Sequence, residues 1–587
     1  MPTTIVERWV PGVRVARGYR RAWLWPDIRA GVVVTALMIP AGMGYAQASG
    51  LPAVTGLYAS IVPLVAYALL GPSRILILAP DSALAPIIAA TLLPLAAGDP
   101  DRAVALAGLM AIMVGALMLL AGAARLGFVT DLLSKPVRVG YLNAIALIVI
   151  VSQVPRLVGF SVESGTPWEG TTRAWHGIVG GETIGVAAAL GVGSLFVILV
   201  MRRLRSPVPG ELVVVVLGIV VAWTAGLGER LPVVGALPQG LPAPALEGIT
   251  WTDVGALALP AAGIALVAFT DSAVLSRTLA ARRGEKVSGN AELAGIGAAN
   301  VSTGALGGFP VSASSSRTPV AEAAGARTPL AGVVSAALVV LFMLAVPGLT
   351  AYLPEATLAA VVIAAVITLI DVRALASLWR MDRLDAALSL AAFVGVLVFG
   401  VLAGIVVAIG LSLLAFVTRA WRPYRATLGR VPGVRGYHDL SRYPERGRPV
   451  PGVVIVRYDA PLFFANAASF ANWVRSEVAR AGPQVTTVIV AAEPITDVDV
   501  TAADALVELD DYLTAQGIEL VLAEMKDPVV DRLRRYGLEA RFGPERFAPT
   551  VGAAVDAVTG TMRGDLGDDD GDDGRDGEDR PRGAPLR

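Results

Sequence analysis

Two short proline-led segments of this chain match each other in sequence and in position. Residues 80–83 read Pro-Asp-Ser-Ala, and residues 310–313 read Pro-Val-Ser-Ala. Each opens a short apolar helix after a break, and each is the third hydrophobic element in its half of the apolar region. The first backbone N–H groups of a helix are unpaired and carry partial positive charge. Two such helix starts aimed at one point therefore predict an anion site at mid-membrane.

Two carboxylates lie in apolar segments and are the main candidates for a proton relay there. Asp271 lies deep in an apolar helix, and Glu292 lies near the start of the next one. A bare carboxylate is costly at this depth, so Asp271 is expected to be paired, protonated or bound to a cation. Glu292 has a second interpretation as a first-turn acid that complements the helix dipole. The two histidines, His176 and His438, both fall in predicted loops.

The elements that position these residues are fourteen predicted membrane segments. The chain is 55% hydrophobic and 16% charged, whereas soluble proteins carry roughly a quarter charged residues. Many apolar runs approach the ~20 residues that span a bilayer. Seven segments in each half predict inverted repeats, as in many transporters. The first seven are 29–49, 54–70, 80–97, 103–122, 137–155, 178–201 and 211–227, and the second seven are 254–280, 290–306, 311–323, 328–346, 354–370, 384–400 and 403–421.

The placement of arginine predicts that both termini are cytoplasmic. With the N-terminus inside, the inside loops hold basic clusters such as 202–205 and 282–286. The outside loops hold only the four residues Arg102, Arg156, Arg173 and Arg230. The first 26 residues are rich in arginine and lack an apolar run with a cleavage site, which favours a retained segment over a signal peptide.

Composition excludes several classes of site. The chain has no cysteine, so disulfides, thiolate metal sites and cysteine nucleophiles are excluded. Its 48 basic and 48 acidic residues cancel, and no basic face for nucleic acid is present. No phosphate-cradling loop or metal-binding cluster occurs, so we expect no enzyme activity, no cofactor and no metal.

The chain changes character after residue 422. Apolar strands at 453–456, 485–490 and 518–523 alternate with helices at 502–516 and 528–536, which predicts a small α/β domain. The last residues are rich in glycine and aspartate and are predicted to be disordered. The predicted domains are a cytoplasmic segment 1–26, a transmembrane domain 27–422, a linker 423–450, an α/β domain 451–562 and an acidic tail 563–587.

Four stretches together identify a family. They are 27–31 with 39–46, 56–60 with 71–74, 290–293 with 308–318, and 462–467, which reads Leu-Phe-Phe-Ala-Asn-Ala. In this order they resemble the SulP-type anion permeases, the bacterial relatives of the solute carrier 26 family, with a C-terminal STAS domain. The resemblance covers roughly residues 25–560 and does not specify a substrate.

The resemblance implies a fold and a site. The fold is an all-α multi-pass membrane protein, with seven plus seven inverted helices arranged as a core and a gate domain, plus a small cytoplasmic α/β STAS domain. The substrate lies between the starts of the third and tenth helices and is lined by the first and eighth. Asp271 matches a position where the family often carries an acidic residue linked to coupling-ion use. The substrate-binding residues implied in this chain are Tyr45, Ser82, Ala83, Ser312, Ala313, Ser314, Ser316 and Arg317.

Several of these residues have structural alternatives. The serines between 312 and 316 could simply cap a helix start. Arg317 could extend toward the membrane surface or pair with a carboxylate, and Tyr45 could pack in the core. Stand-alone STAS proteins carry a phosphorylatable serine or threonine where this chain has Thr501, whose alternative role is a helix N-cap.

Two departures from the family pattern affect the predicted substrate. Many members carry a neutral or aromatic residue at the position of Asp81, where an ionised carboxylate would repel an anion. We therefore expect Asp81 to be protonated, paired with Arg317 or turned toward the gate. Ala41 replaces a glutamine of some relatives, which leaves sulfate, bicarbonate, chloride, nitrate and dicarboxylates open.

Together these features predict a secondary active transporter of a small inorganic or carboxylate anion in the bacterial inner membrane. Alternating access of the core domain past the gate domain is the expected mechanism. Proton symport through Asp271 is the first choice, sodium symport the second, and uncoupled or exchange transport the third. The alternatives are a channel-like anion conductor on the same fold, and a membrane sensor or scaffold whose STAS domain binds a cytoplasmic partner. A homodimer in the lipid bilayer is expected, with no nucleic-acid partner.

Overall fold

The chain forms two compact units, Met1–Leu413 and Leu414–Arg587. A computed structural model describes residues 10–127, 134–162, 167–204, 206, 208–227, 230–238, 240–285, 287–421 and 423–560. The predicted acidic tail, 563–587, lies outside these residues.

Helices dominate the chain up to Trp421, and one lies in each of the fourteen predicted membrane segments. The described residues hold three further helices, α1, α7 and α15. In chain order the helices are α1 (Pro11–Arg17), α2 (Leu24–Ala48), α3 (Ala53–Leu70), α4 (Ala85–Ala96), α5 (Pro100–Ala123), α6 (Lys135–Leu157), α7 (Pro167–Val179), α8 (Gly185–Arg203), α9 (Gly210–Thr224), α10 (Trp251–Arg282), α11 (Gly289–Ala305), α12 (Arg317–Ala323), α13 (Leu330–Ala345), α14 (Glu355–Val366), α15 (Val372–Met381), α16 (Arg383–Phe399) and α17 (Val401–Trp421).

Length and composition make this unit a membrane domain. Among the described residues, seven helical stretches are long and apolar enough to cross a bilayer, and shorter apolar helices accompany them. Large apolar side chains stay exposed on these helices, such as Phe196 at 66% and Trp223 at 63%. Lipid tails are as apolar as such side chains, so a bilayer accommodates them.

The third and tenth segments begin differently from the prediction. Helix α4 starts at Ala85 and α12 at Arg317, several residues after the prolines. Two-residue strands come first, β1 (Leu78–Ala79) and β2 (Ser312–Ala313), and they pair antiparallel with each other. The residue before a proline is restricted to extended conformations, which favours a strand ahead of Pro80. The two segments therefore meet as strands, and their paired backbone groups are satisfied at membrane depth.

A stripe of glycines brings α5 and α11 into close contact. Gly108 and Gly115 of α5 face Gly304 and Gly297 of α11, each pair one heptad from the next. A Cβ on Gly297 would lie 2.8 Å from the carbonyl oxygen of Gly115. Small residues let membrane helices approach this closely, so packing rather than burial from water holds the pair.

The second unit is an α/β domain, as predicted. Its six-stranded sheet has the order β4-β3-β5-β6-β7-β8, in which β5 to β8 run parallel and β3 is antiparallel to both of its neighbours. The strands are β3 (Arg425–Val431), β4 (Val434–Asp439), β5 (Val453–Tyr458), β6 (Thr487–Ala491), β7 (Glu519–Ala523) and β8 (Phe547–Ala548), and the helices are α18 (Ala467–Ala481), α19 (Val500–Thr514), α20 (Asp527–Arg535) and α21 (Val551–Thr559).

Two predictions in this unit need correction. The predicted linker 423–450 contains β3 and β4, because Ala426, Leu428 and Val431 bury their side chains in the sheet although charged residues surround them in sequence. Thr501 is not the N-cap of α19. Asp499 caps it by accepting a hydrogen bond from Ala502 N at 2.8 Å, and Thr501 is exposed.

Candidate functional site

The pair of short strands β1 and β2 forms the centre of the candidate site. Leu78 lies opposite Ala313 and Ala79 opposite Ser312, and Ser314 N donates to the carbonyl of Ile77 at 2.9 Å. The segments that follow each strand thus lie side by side, although some 230 residues separate them in the sequence.

Polar side chains from two neighbouring helices hold the second strand in place. The amide of Asn300 in α11 accepts a hydrogen bond from Val311 N at 2.9 Å and donates to Val311 O at 3.1 Å. In α10, the hydroxyl of Ser272 accepts from Ala313 N at 2.9 Å. Asn300 and Ser272 are fully buried. Backbone groups that would otherwise be unpaired at membrane depth are satisfied in this way.

Arg317 is the positive charge of the site. Its side chain is 2% exposed, and its Nε donates to the Ser314 hydroxyl at 3.0 Å. One terminal nitrogen donates to the carbonyl of Pro80, which links α12 to the end of β1. The guanidinium also lies over the ring of Tyr45, 5.6 Å from its centroid. The other terminal nitrogen, Nη1, is buried and has no hydrogen-bond partner among the described residues.

The structure brings the predicted substrate-binding residues together around this arginine. Tyr45 is buried under the guanidinium, and the remaining small residues lie in or next to the strand pair. Those buried there are Ser82, Ala83, Ser312, Ala313 and Ser314, whereas Ser316 is exposed.

The hydroxyl of Ser314 is already used within the protein. It accepts from both Arg317 N, at 3.2 Å, and Arg317 Nε, and it lies 3.3 Å from the hydroxyl of Ser316. Ser314 thus accepts from the first N–H group of α12, whereas the N-cap residue, Ser316, makes no side-chain capping hydrogen bond.

Asp81 lies in the turn between β1 and α4, half-buried. Its carboxylate accepts a hydrogen bond from Ala83 N at 2.9 Å. Arg317 attracts Asp81 electrostatically, yet no direct ion pair joins them in the part of the chain that the structure describes. Of the three expectations for Asp81, direct pairing with Arg317 is therefore not realised.

Asp271 faces the same region from α10. Tyr141 of α6 donates to its carboxylate at 3.4 Å, and the side chain is half-buried. Arg138 attracts Asp271 electrostatically, whereas Asp81 repels it. Two carboxylates, the buried guanidinium of Arg317 and the half-buried one of Arg138 therefore act on this region.

Glu292 lies apart from the strand pair. It is 1% exposed, its carboxyl accepts a hydrogen bond from the hydroxyl of Tyr67, and its Oε1 contacts the hydroxyls of Ser73 and Ser276. Glu292 lies in the first turn of α11, where the sequence placed it. The hydroxyl contacts are an additional feature that the sequence did not suggest.

Sequence reasoning missed four residues that position the site. Asn300, Ser272 and Tyr141 contact the strand or the carboxylate directly, and Thr318 accepts from Ile77 N at 3.1 Å. A buried asparagine in an apolar helix was the one available signal, because polar residues inside membrane helices rarely lack a partner.

Comparisons with known proteins agree with this architecture. The model of the sulfate permease family matches residues 24–392, and that of the STAS domain matches residues 448–554. A probable sulfate transporter of Mycobacterium tuberculosis is 41% identical over 566 residues, which cover 95% of this chain and 99% of that protein. The chloroplastic sulfate transporter 4.1 of Arabidopsis thaliana is 30% identical over 571 residues, covering 94% of this chain and 82% of that protein.

Solved structures share the fold. The murine solute carrier 26 family member A9 anion transporter, in the inward-facing state, superimposes with a TM-score of 0.89 at 21% identity and covers 96% of each chain. The transmembrane domain of a cyanobacterial bicarbonate transporter, BicA, has a TM-score of 0.59 at 24% identity and covers 67% of this chain and 98% of that one. These relatives are transporters and not enzymes.

Proposed function

Because the chain belongs to the sulfate permease family, whose members transport anions, we propose that it is a proton-coupled transporter of a small anion. Sulfate is the first substrate to test, since the relatives above carry that name. Bicarbonate and dicarboxylates are the next candidates. Alternating access is the proposed mechanism, with the core domain carrying the site past the gate domain.

One observation supports proton coupling above all others. A single buried guanidinium, Arg317, lies in a region on which the carboxylates of Asp81 and Asp271 also act. Arg138, which attracts Asp271, adds a second positive charge. With both carboxylates ionised, the two carboxylates and two arginines sum to zero, so the region offers an anion no net attraction. Protonation of one or both carboxylates makes the region positive. Anion binding and proton binding are then linked through the charge of the site.

The proposed binding site uses the groups that the strand pair assembles. The buried Nη1 of Arg317 is available to donate to an oxyanion, and a charged donor forms one of the stronger hydrogen bonds to such a ligand. Tyr45, Ser82, Ala83, Ser312, Ala313, Ser314 and Ser316 form the proposed wall, and Asp271 carries the proposed proton.

The remaining expectations stand as part of the same proposal. They are a location in the bacterial inner membrane, cytoplasmic termini, a homodimer, and the domain limits with β3 and β4 added to the STAS domain. The excess of arginine in alternate loops supports the orientation.

Uptake of labelled anions into proteoliposomes tests the proposal. An inward proton gradient should accelerate sulfate uptake more than a sodium gradient does, and uptake should saturate. Asp271→Asn should abolish the acceleration while sparing counterflow exchange, because the variant keeps its shape but cannot carry the proton. Asp504→Asn, an exposed residue of α19, is the matched control. Equal loss of uptake and counterflow would assign Asp271 a structural role, and unsaturable flux without coupling would point to a channel-like conductor.

A further inference from the structure

Glu292 sits in a closed group of hydroxyls within the membrane unit. Tyr67 of α3 donates to its Oε2 at 2.6 Å. Ser73, which precedes β1, and Ser276 of α10 both contact its Oε1, and their two hydroxyl oxygens lie 2.8 Å from each other. Oε1 and the two serine oxygens thus form a three-membered ring, which we call the Glu292 ring.

The number of available protons indicates which protonation state of Glu292 fits these contacts. Four oxygen–oxygen contacts connect the group, and each hydroxyl of tyrosine or serine supplies one proton. An ionised Glu292 therefore leaves three protons for four contacts. One contact would then bring two oxygens together without a hydrogen between them. A proton on Oε1 supplies the missing hydrogen, and the ring closes with one donor and one acceptor at every oxygen.

Burial of Glu292 also favours its protonated, neutral form. Every atom that hydrogen-bonds to the carboxyl group of Glu292 in the described part of the chain belongs to a hydroxyl, and none is a cation. Arg74, next to Ser73, is 47% exposed and pairs with Glu285 at 3.3 Å. Arg277, next to Ser276, lies against Gly289 at the start of α11. Because none of the carboxyl's hydrogen-bond partners among the described residues is a cation, a buried carboxylate costs more here than a neutral acid.

We propose that Glu292 is held as a neutral carboxylic acid, and that its ring positions the segment that leads into β1. That segment, residues 71–77, packs closely against α11. A Cβ on Gly295 of α11 would lie 2.9 Å from the Cα of Gly71. Past β1, the carbonyl of Pro80 accepts from Arg317. Glu292 is thus a positioning residue that acts through β1. This positioning role rests on the proposed function, whereas the protonation state does not.

Infrared spectroscopy of the full-length protein in lipid tests the protonation state directly. At about pH 7, where a glutamate in water is fully ionised, the wild type should show a carboxylic-acid C=O band that shifts in D2O. Glu292→Gln should remove this band. Asp271→Asn is the control and should retain it, which assigns the band to Glu292. A folded Glu292→Gln protein whose carboxylic-acid bands match the wild type at this pH would overturn the proposal.

Uptake measurements test the positioning role. A glutamine amide can donate to the two serines through its NH2 group and accept from Tyr67 through its carbonyl oxygen, without a negative charge. Glu292→Gln should therefore keep wild-type uptake to within about twofold. Glu292→Leu removes the ring and should lose uptake. If Glu292→Gln is folded but inactive while the control Asp504→Asn transports normally, an ionised Glu292 is required and the proposal fails. The infrared result stands even if sulfate is not the substrate, so the two proposals can fail separately.

Discussion

Replacing Arg317 by alanine should weaken binding of the transported anion by roughly 10- to 150-fold. The range follows from the one buried nitrogen of Arg317, Nη1, that has no partner among the described residues. A hydrogen bond from a charged donor contributes about 1.5–3 kcal/mol, and every 1.4 kcal/mol is a factor of about ten in affinity. Loss of the positive charge adds to this, so the lower end of the range is the minimum effect.

The same substitution removes contacts within the protein, and these must be separated from anion binding. Arg317 links Ser314 to the carbonyl of Pro80, so alanine should also lower the melting temperature. Arg317→Lys keeps the positive charge but lacks the planar guanidinium group that contacts both Ser314 and Pro80. We therefore expect it to lose less affinity than Arg317→Ala. Arg282→Ala serves as the control, because that side chain is 66% exposed and lies 3.7 Å from its acidic neighbour Glu322.

The assay is the concentration dependence of labelled-sulfate uptake into proteoliposomes, with size-exclusion profiles and melting temperatures recorded for each variant. The expected order of apparent affinity is wild type and Arg282→Ala first, then Arg317→Lys, then Arg317→Ala. A folded Arg317→Ala protein with the affinity of the wild type would show that the anion binds elsewhere.

Three further predictions follow from the described contacts. Asp81→Asn should flatten the pH dependence of substrate affinity, measured over roughly pH 5–8, because an ionised carboxylate repels the anion whereas asparagine stays neutral. Identical profiles for the two proteins would place Asp81 outside the site. Gly115→Leu should destabilise the membrane unit by about 1–3 kcal/mol or more, because the leucine side chain would collide with the backbone of α11. The measurement is the melting temperature, and the control is Gly193→Ala, because Gly193 has open space around it. Asp499→Ala should destabilise the STAS domain by about 0.5–2 kcal/mol through loss of the α19 cap; equal effects in denaturant titrations of Asp499→Ala and Asp504→Ala would contradict the assigned cap.

Local chemistry made much of this protein predictable from its sequence. The membrane segments follow from apolar runs whose length matches a bilayer. The two breaks follow from Pro80 and Pro310, which restrict the backbone whatever surrounds them. The parallel strands of the STAS domain follow from apolar runs rich in valine, isoleucine and leucine, which are typical of strands buried on both faces. Each of these signals lies within one short stretch of chain.

Contacts between distant residues were decided by the tertiary structure. The sequence placed the two proline-led segments in matching positions, but only the fold shows that they pair as strands, with Leu78 opposite Ala313. Likewise, β3 is a short run interrupted by charges that becomes a strand because β5 pairs with it. The contact of Ser73 with Glu292 spans 219 residues. A hydrogen bond of this kind depends on where several helices cross, and no local pattern encodes that arrangement.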